Sequence, residues 1–191
     1  MNIGIFSGSF NPIHMGHLIL ANYIVEFTEI DEVWFLVSPQ NPLKKEAGLL
    51  DENLRYEMAK LALEGYPKMK ACDFEFSLPR PSYTIHTLEK LSEAYPQHDF
   101  TLIIGADNWA KFEYWKDHNV ILENYPIRVY PRLGYRIAIP SKQRSKVEAL
   151  ESPIIEISST FIRESISQGK CVKAFLPEKV FEFIEQYQLY R

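Results

Sequence analysis

Ile3-Gly4-Ile5-Phe6, Gly8-Ser9-Phe10-Asn11-Pro12-Ile13-His14-Met15-Gly16-His17 and Leu18-Ile19-Leu20-Ala21-Asn22-Tyr23-Ile24-Val25 follow one another near the start of the chain. The first run is short, apolar and bounded by glycine and serine, which reads as a buried strand. The last run places Leu18, Ala21 and Val25, and Leu20, Ile24 and Phe27, at helical spacing. Two histidines separated by Met-Gly therefore stand where a strand hands over to a helix N-terminus. Free backbone N–H groups and the positive end of the helix dipole meet there, which suits an anion. Gly8 and Gly16 remove side chains where a phosphate chain would lie against backbone, and Pro12 stiffens the loop. A histidine pair also reads as one cap and one packing residue. As a metal pair it is weak, because no Cys, Asp or Glu joins it.

Working outward, the first 105 residues alternate strand-like and helical patterns. Met1 to Phe6 is the first strand and Met15 to Glu29 the first helix. Val33 to Val37 is a strand, Asp51 caps a helix to Glu64, and Lys70 to Phe76 is a weak strand. Tyr83 to Tyr95 is a helix, and Phe100 to Gly105 is the clearest buried strand. Strands separated by such helices imply right-handed crossovers and a parallel sheet. The expected fold is a Rossmann-like, doubly wound α/β sheet with helices on both faces. Beyond residue 120, Ile127 to Tyr130 and Ile154 to Ile157 read as strands, with residues 131–153 as an irregular surface excursion. Ser159 to Ser167 and Glu178 to Tyr187 read as helices, giving one domain over 1–191 with a short helical part from about 158.

Ligands in such sheets bind beyond the carboxyl ends of the strands, at a topological switch point. That places the histidine loop and Gly105-Ala106-Asp107 in one cleft. Asp107 can accept from ribose hydroxyls or cap a helix, and the two roles are compatible. Ser158, Ser159 and Thr160 carry hydroxyls at a helix start. Arg163, one turn later, carries a planar fork suited to phosphate.

A formal charge of −4 argues against a general nucleic-acid binder. No apolar run approaches a membrane span. The chain shows no signal-peptide pattern, and its two cysteines, Cys72 and Cys171, form no redox or metal motif. A reduced, cytoplasmic setting is expected.

Gly8-Ser9-Phe10-Asn11-Pro12-x-His14-x-Gly16-His17 resembles the first box of the HxGH nucleotidyltransferase superfamily. Ile157-Ser158-Ser159-Thr160-Phe161-Ile162-Arg163 resembles its I-S-S-T-x-I-R box. Length and the intervening segments resemble the bacterial nicotinate mononucleotide adenylyltransferase family. That resemblance implies transfer of the adenylyl group of ATP to nicotinate mononucleotide, with Mg²⁺ carried by ATP and no protein metal cage. It implies catalytic roles for His14, His17 and Arg163. It puts Gly8, Ser9, Phe10, Gly16, Lys44, Asp107, Ile157, Ser158, Ser159 and Thr160 on ATP. It puts Asn11, Ser82, Tyr83, Thr84, Trp115 and Arg132 on the mononucleotide. Leu43 stands where the family usually has a histidine. Three alternatives stay open: preference for the amide mononucleotide, another substrate of the superfamily, and a nucleotide-binding module without turnover. A homo-oligomer is also left open.

Overall fold

The computed structural model describes residues 1–39 and 48–191. Leu43, Lys44 and Lys45 lie outside the described residues. In chain order the main elements are β1 (Asn2–Gly8), α1 (Met15–Phe27), β2 (Glu32–Val37), α2 (Glu52–Leu63), β3 (Met69–Cys72) and α3 (Thr84–Ala94). They continue as β4 (Asp99–Gly105), α4 (Ala106–Trp109), α5 (His118–Asn124), β5 (Ile127–Tyr130), β6 (Val147–Ala149), α6 (Ser159–Ser167) and α7 (Glu178–Gln186). The strands form one parallel sheet in the order β3-β2-β1-β4-β5-β6. The chain winds outward from β1 to β3, returns to β4 beside β1, and winds outward the other way. The expected doubly wound α/β fold is observed.

Period-two patterning splits the core between the two faces of this sheet. Phe6, Phe35 and Ile103 pack with α1, α2, α6 and α7 through Ala21, Met58, Ile162 and Ile184. Ile5, Leu36, Leu102 and Ile104 point the other way, against Ile85, Leu88 and Ile121 of α3 and α5. The terminal helices thus close the same core that α1 begins. Among the described residues no helix is long and apolar enough to cross a membrane.

Three readings of the sequence are corrected. The sixth strand is Val147–Ala149, within the stretch expected to be irregular; residues 154–157 form no regular element and, among the described residues, pair with no strand. Ile155 and Ile157 instead line a cavity beside the histidines, which explains an apolar run without sheet partners. The third strand stops at Cys72 and gives way to a 3-10 turn, Phe74–Ser77, which turns Glu75 inward. Phe27, expected on the inward stripe of α1, is 71% exposed because the helix leaves the core after Val25.

The switch point lies between β1 and β4, so the loops leaving Gly8 and Gly105 diverge there. Each glycine answers a local crowding. A Cβ on Gly8 would lie 3.1 Å from the Phe10 ring, and one on Gly105 would lie 2.4 Å from Asp107 Oδ1.

Candidate active site at the sheet switch point

Phe10 bends the motif loop through a left-handed conformation, φ 45°. That is costly for a bulky residue and persists only where packing over-determines it. The Phe10 ring is buried against Phe6, Phe35 and His17, at centroid distances of 5.7, 5.5 and 5.1 Å. Asn11 is fully buried, and its amide is spent on structure. Nδ2 donates to the Gly48 carbonyl at 3.1 Å, while Oδ1 accepts from the Tyr190 hydroxyl at 2.9 Å and the Leu50 amide at 3.4 Å. Both ends of the side chain expected on the mononucleotide therefore hold the loop.

His14 is the N-cap of α1 and His17 its third residue. The His14 backbone N–H donates to His17 Nδ1 at 3.1 Å. A neutral imidazole carries one N–H, so His17 presents its proton on Nε2. The two rings stack at 3.7 Å. Burial, reinforced by the charge of Arg132, lowers the His14 pKa to about 3. Burial, then His14 and Arg132, lowers that of His17 well below the usual histidine range. Both rings are thus neutral before a ligand arrives.

The second box docks onto the first. Ser158 caps α6 by accepting from the Phe161 amide at 3.1 Å. Ser159 Oγ donates to the Pro12 carbonyl at 2.9 Å, and Arg163 donates to the Asn11 carbonyl at 2.8 Å. A second Arg163 nitrogen reaches Thr160 Oγ1 at 3.4 Å. Two segments far apart in sequence therefore present one polar surface at two helix N-termini.

Three cavities run along this edge. A small one of about 30 Å³ holds His14, Gly16, His17 and Arg132. It shares Phe6 and Tyr130 with a cavity of about 310 Å³ that contains Gly8, Ser9, Ser82, Tyr83, Thr84 and Trp115. It shares Arg132, Ile155 and Ile157 with a third cavity of about 330 Å³ that contains Asp107 and Ser158. The two larger cavities have no lining residue in common. Arg132, expected on the mononucleotide, has its Nε 3.8 Å from Asp107 Oδ1 and a nitrogen 3.3 Å from the Tyr130 hydroxyl, and lines the small cavity and the one that contains Asp107. It leaves β5 at Tyr130 and an antiparallel bridge to Tyr135 turns it that way.

Sequence reasoning missed two buried charges. Arg55 is fully buried and, among the described residues, donates to the carbonyls of Ser9 at 2.6 Å, Ser38 at 2.8 Å, Leu50 at 2.9 Å and Pro39 at 3.1 Å. Its signal was present, since it shares a helical stripe with Met58, Ala59 and Ala62. Glu75, 3% exposed, accepts from the hydroxyls of Ser38, Thr87 and Ser82 at 2.5, 2.8 and 3.2 Å. Burial raises its pKa, and the three hydroxyls oppose that rise. Ser82 is thereby tied to the floor of the 310 Å³ cavity. Nothing around Glu75 in the sequence marks it as buried. Among the described residues, no three His, Cys, Asp or Glu side chains converge as a metal site.

The cytidylyltransferase-like family model matches residues 5–165. A Bacteroides thetaiotaomicron protein named "Probable nicotinate-nucleotide adenylyltransferase" is 52% identical over 187 residues, covering 98% of this chain and 92% of its own. One of the same name from Flavobacterium johnsoniae is 48% identical over 192 residues and the full length of both chains. The fold resembles that of Plasmodium falciparum nicotinic acid mononucleotide adenylyltransferase complexed with NaAD, with a TM-score of 0.81 at 20% identity over 99% of this chain and 97% of that one. The chain belongs to the cytidylyltransferase-like family and, within it, to the nicotinate-nucleotide adenylyltransferases.

Proposed function

We propose that this enzyme transfers the adenylyl group of ATP to nicotinate mononucleotide, giving nicotinic acid adenine dinucleotide and pyrophosphate, as a step in NAD biosynthesis. The observation that carries the reading is the arrangement of cavities. Two spaces of nucleotide scale, about 310 and 330 Å³, share no lining residue among those described, and each shares lining residues with the small cavity of the histidine pair. An enzyme that joins two nucleotides needs one seat for each and a junction where the phosphates meet.

In this reading the mononucleotide ring lies beside Tyr83, Thr84 and Trp115, with Ser82 supporting the floor. The adenosine side of ATP lies toward Asp107 and Ile157, and its polyphosphate lies against Gly8, Ser9, Gly16, Ser158, Ser159 and Thr160. Lys44 is kept as a phosphate contact, and Asn11 and Phe10 act by shaping the loop. A phosphate oxygen of the mononucleotide attacks the α-phosphorus. The bond from the α-phosphorus to the bridging oxygen breaks, and the electron pair leaves with pyrophosphate. The nucleophile is already an anion near neutral pH, so no general base is required. Positioning and stabilisation of charge on the phosphoryl oxygens then account for the rate. His17 Nε2–H, His14, Arg132 and Arg163 supply the donors. ATP enters as its Mg²⁺ complex, the cation being held by phosphate oxygens and water. We place the enzyme in the cytoplasm, consistent with two free cysteines, Cys72 and Cys171.

The test is pyrophosphate release with MgATP and, in parallel, nicotinate mononucleotide, nicotinamide mononucleotide and phosphopantetheine. Turnover dominated by the acid mononucleotide is expected. Preference for the amide would overturn the substrate and keep the mechanism. ATP binding with no turnover on any acceptor would overturn the enzyme reading.

A further inference from the structure

The 310 Å³ cavity is electrically uneven. Its one acidic lining residue among those described, Glu75, is buried and surrounded by the hydroxyls of Ser38, Ser82 and Thr87. Its cations, Lys111 and Lys116, are both exposed and so belong to its mouth. Lys116 is placed specifically: its ammonium lies 4.7 Å from the centroid of the Tyr83 ring. Tyr83 is the N-cap residue of α3 and makes no side-chain cap bond, so the first-turn N–H groups of that helix receive no side-chain acceptor from it. Trp115, next to Lys116 in the chain, packs on Phe112 at 5.4 Å and lines the same cavity. An aromatic wall, a helix N-terminus and an ammonium group therefore line the same cavity, and the one buried carboxylate near that helix start is engaged by the hydroxyls of Ser82 and Thr87.

We propose that Lys116 is the residue that makes this site choose a ring carboxylate over a ring amide. The proposal rests on the mononucleotide reading above and names the determinant within that seat. A flat ring against Trp115 and Tyr83 places its exocyclic group within reach of the Lys116 ammonium and the start of α3. A carboxylate gains Coulombic energy from both, whereas a neutral amide gains only dipolar contacts. Lys111 shares the cavity and lacks the ring contact that fixes Lys116.

The experiment compares kcat/KM for nicotinate and nicotinamide mononucleotides in wild type, Lys116→Met, Lys116→Arg and Lys111→Met. Lys116→Met is expected to lower kcat/KM for the acid about tenfold, mainly through KM. It should leave the amide within about twofold, a near-neutral change because the amide carries no charge for Lys116 to attract. Lys116→Arg should keep the acid preference, and Lys111→Met should leave it as in wild type. Added salt should erode the preference of wild type more than that of Lys116→Met. Lys116 is exposed, so an unchanged melting temperature should accompany the loss. Equal acid preference in wild type and Lys116→Met overturns the role of Lys116 and leaves the adenylyl-transfer reading intact. Turnover of neither mononucleotide by wild type overturns both.

Discussion

Replacing Arg55 by Met should test whether one buried side chain holds the floor of the site. The stem and its packing beside Met58 and Ala59 are retained, so the change isolates the guanidinium. Among the described residues four carbonyls lose a donor: Ser9 in the motif loop, Ser38 and Pro39 after β2, and Leu50 before α2. A buried acceptor left unmet costs about 1–3 kcal/mol. The four costs will not add, because loops freed together relax together and admit water. Breaking a buried charged network typically costs about 3–5 kcal/mol, and we take about 4 kcal/mol here. For a chain of this size that is a fall of roughly 8–16 °C in melting temperature. Thermal unfolding followed by circular dichroism measures it. Removing an exposed partner, as in Lys179→Ala beside Glu64, is the control and should move the midpoint by roughly 2 °C or less. Arg55→Lys should recover only part of the loss, since one ammonium cannot reproduce a fork that spans separate loops. If Arg55→Met melts within about 3 °C of wild type, the four carbonyls find other donors and the reasoning fails.

His17→Ala should cut kcat by about 10²–10³, the effect of removing one preorganised donor, and a loss below about tenfold in steady-state assays would remove His17 from that role. Gly16→Ala would put a Cβ 3.1 Å from the His14 ring and 3.4 Å from Ile155 Cγ2; kcat/KM should fall at least about tenfold while the melting temperature holds or rises, because Ala favours a helix over Gly by about 1 kcal/mol. His14 titrates near 6.5 when unfolded and at about 3 when folded, so below pH 6.5 the unfolded chain binds a proton that the fold refuses, and stability falls with pH. Between pH 7.5 and 5.0 wild type should lose about 2 kcal/mol more than His14→Asn in urea unfolding, and parallel losses would show that His14 is not held neutral.

The fold was legible where sequence and packing obey the same period. β1 and β4 are buried on both faces and read as unbroken apolar runs, and α1 and α3 show inward stripes. Legibility failed at the sheet edge. β6 is three residues long and buries only Val147, so no alternation can form. Ile154 to Ile157 has the composition of a strand and no partner, because the apolar surface it supplies faces a cavity. Composition reports how much surface is to be buried and is silent on what buries it. The same silence hid Arg55 and Glu75, whose partners are backbone carbonyls and hydroxyls scattered over loops.

The motif residues divide into two kinds of work that the sequence alone presents as one. Gly16, His14 and His17 open onto the small cavity, whereas the Asn11 amide and the Ser159 hydroxyl each donate to a backbone carbonyl. Arg163 stands between the two kinds. One of its nitrogens grips the Asn11 carbonyl, and another touches Thr160 at the start of α6. Asn11 in turn is bonded to Gly48, Leu50 and Tyr190, so the motif loop is tied to the segment before α2 and to the end of the chain. An anion drawn to Arg163 therefore acts on a residue already fastened to the histidine loop. In the proposed reaction the two boxes must keep one relative position for both histidines and Arg163 to meet the same polyphosphate. Arg163 and Ser159, donating to the Asn11 and Pro12 carbonyls, set that position, and the buried Asn11 amide holds the loop carrying those carbonyls against Gly48, Leu50 and Tyr190, which gives a physical reason for a fully buried asparagine there.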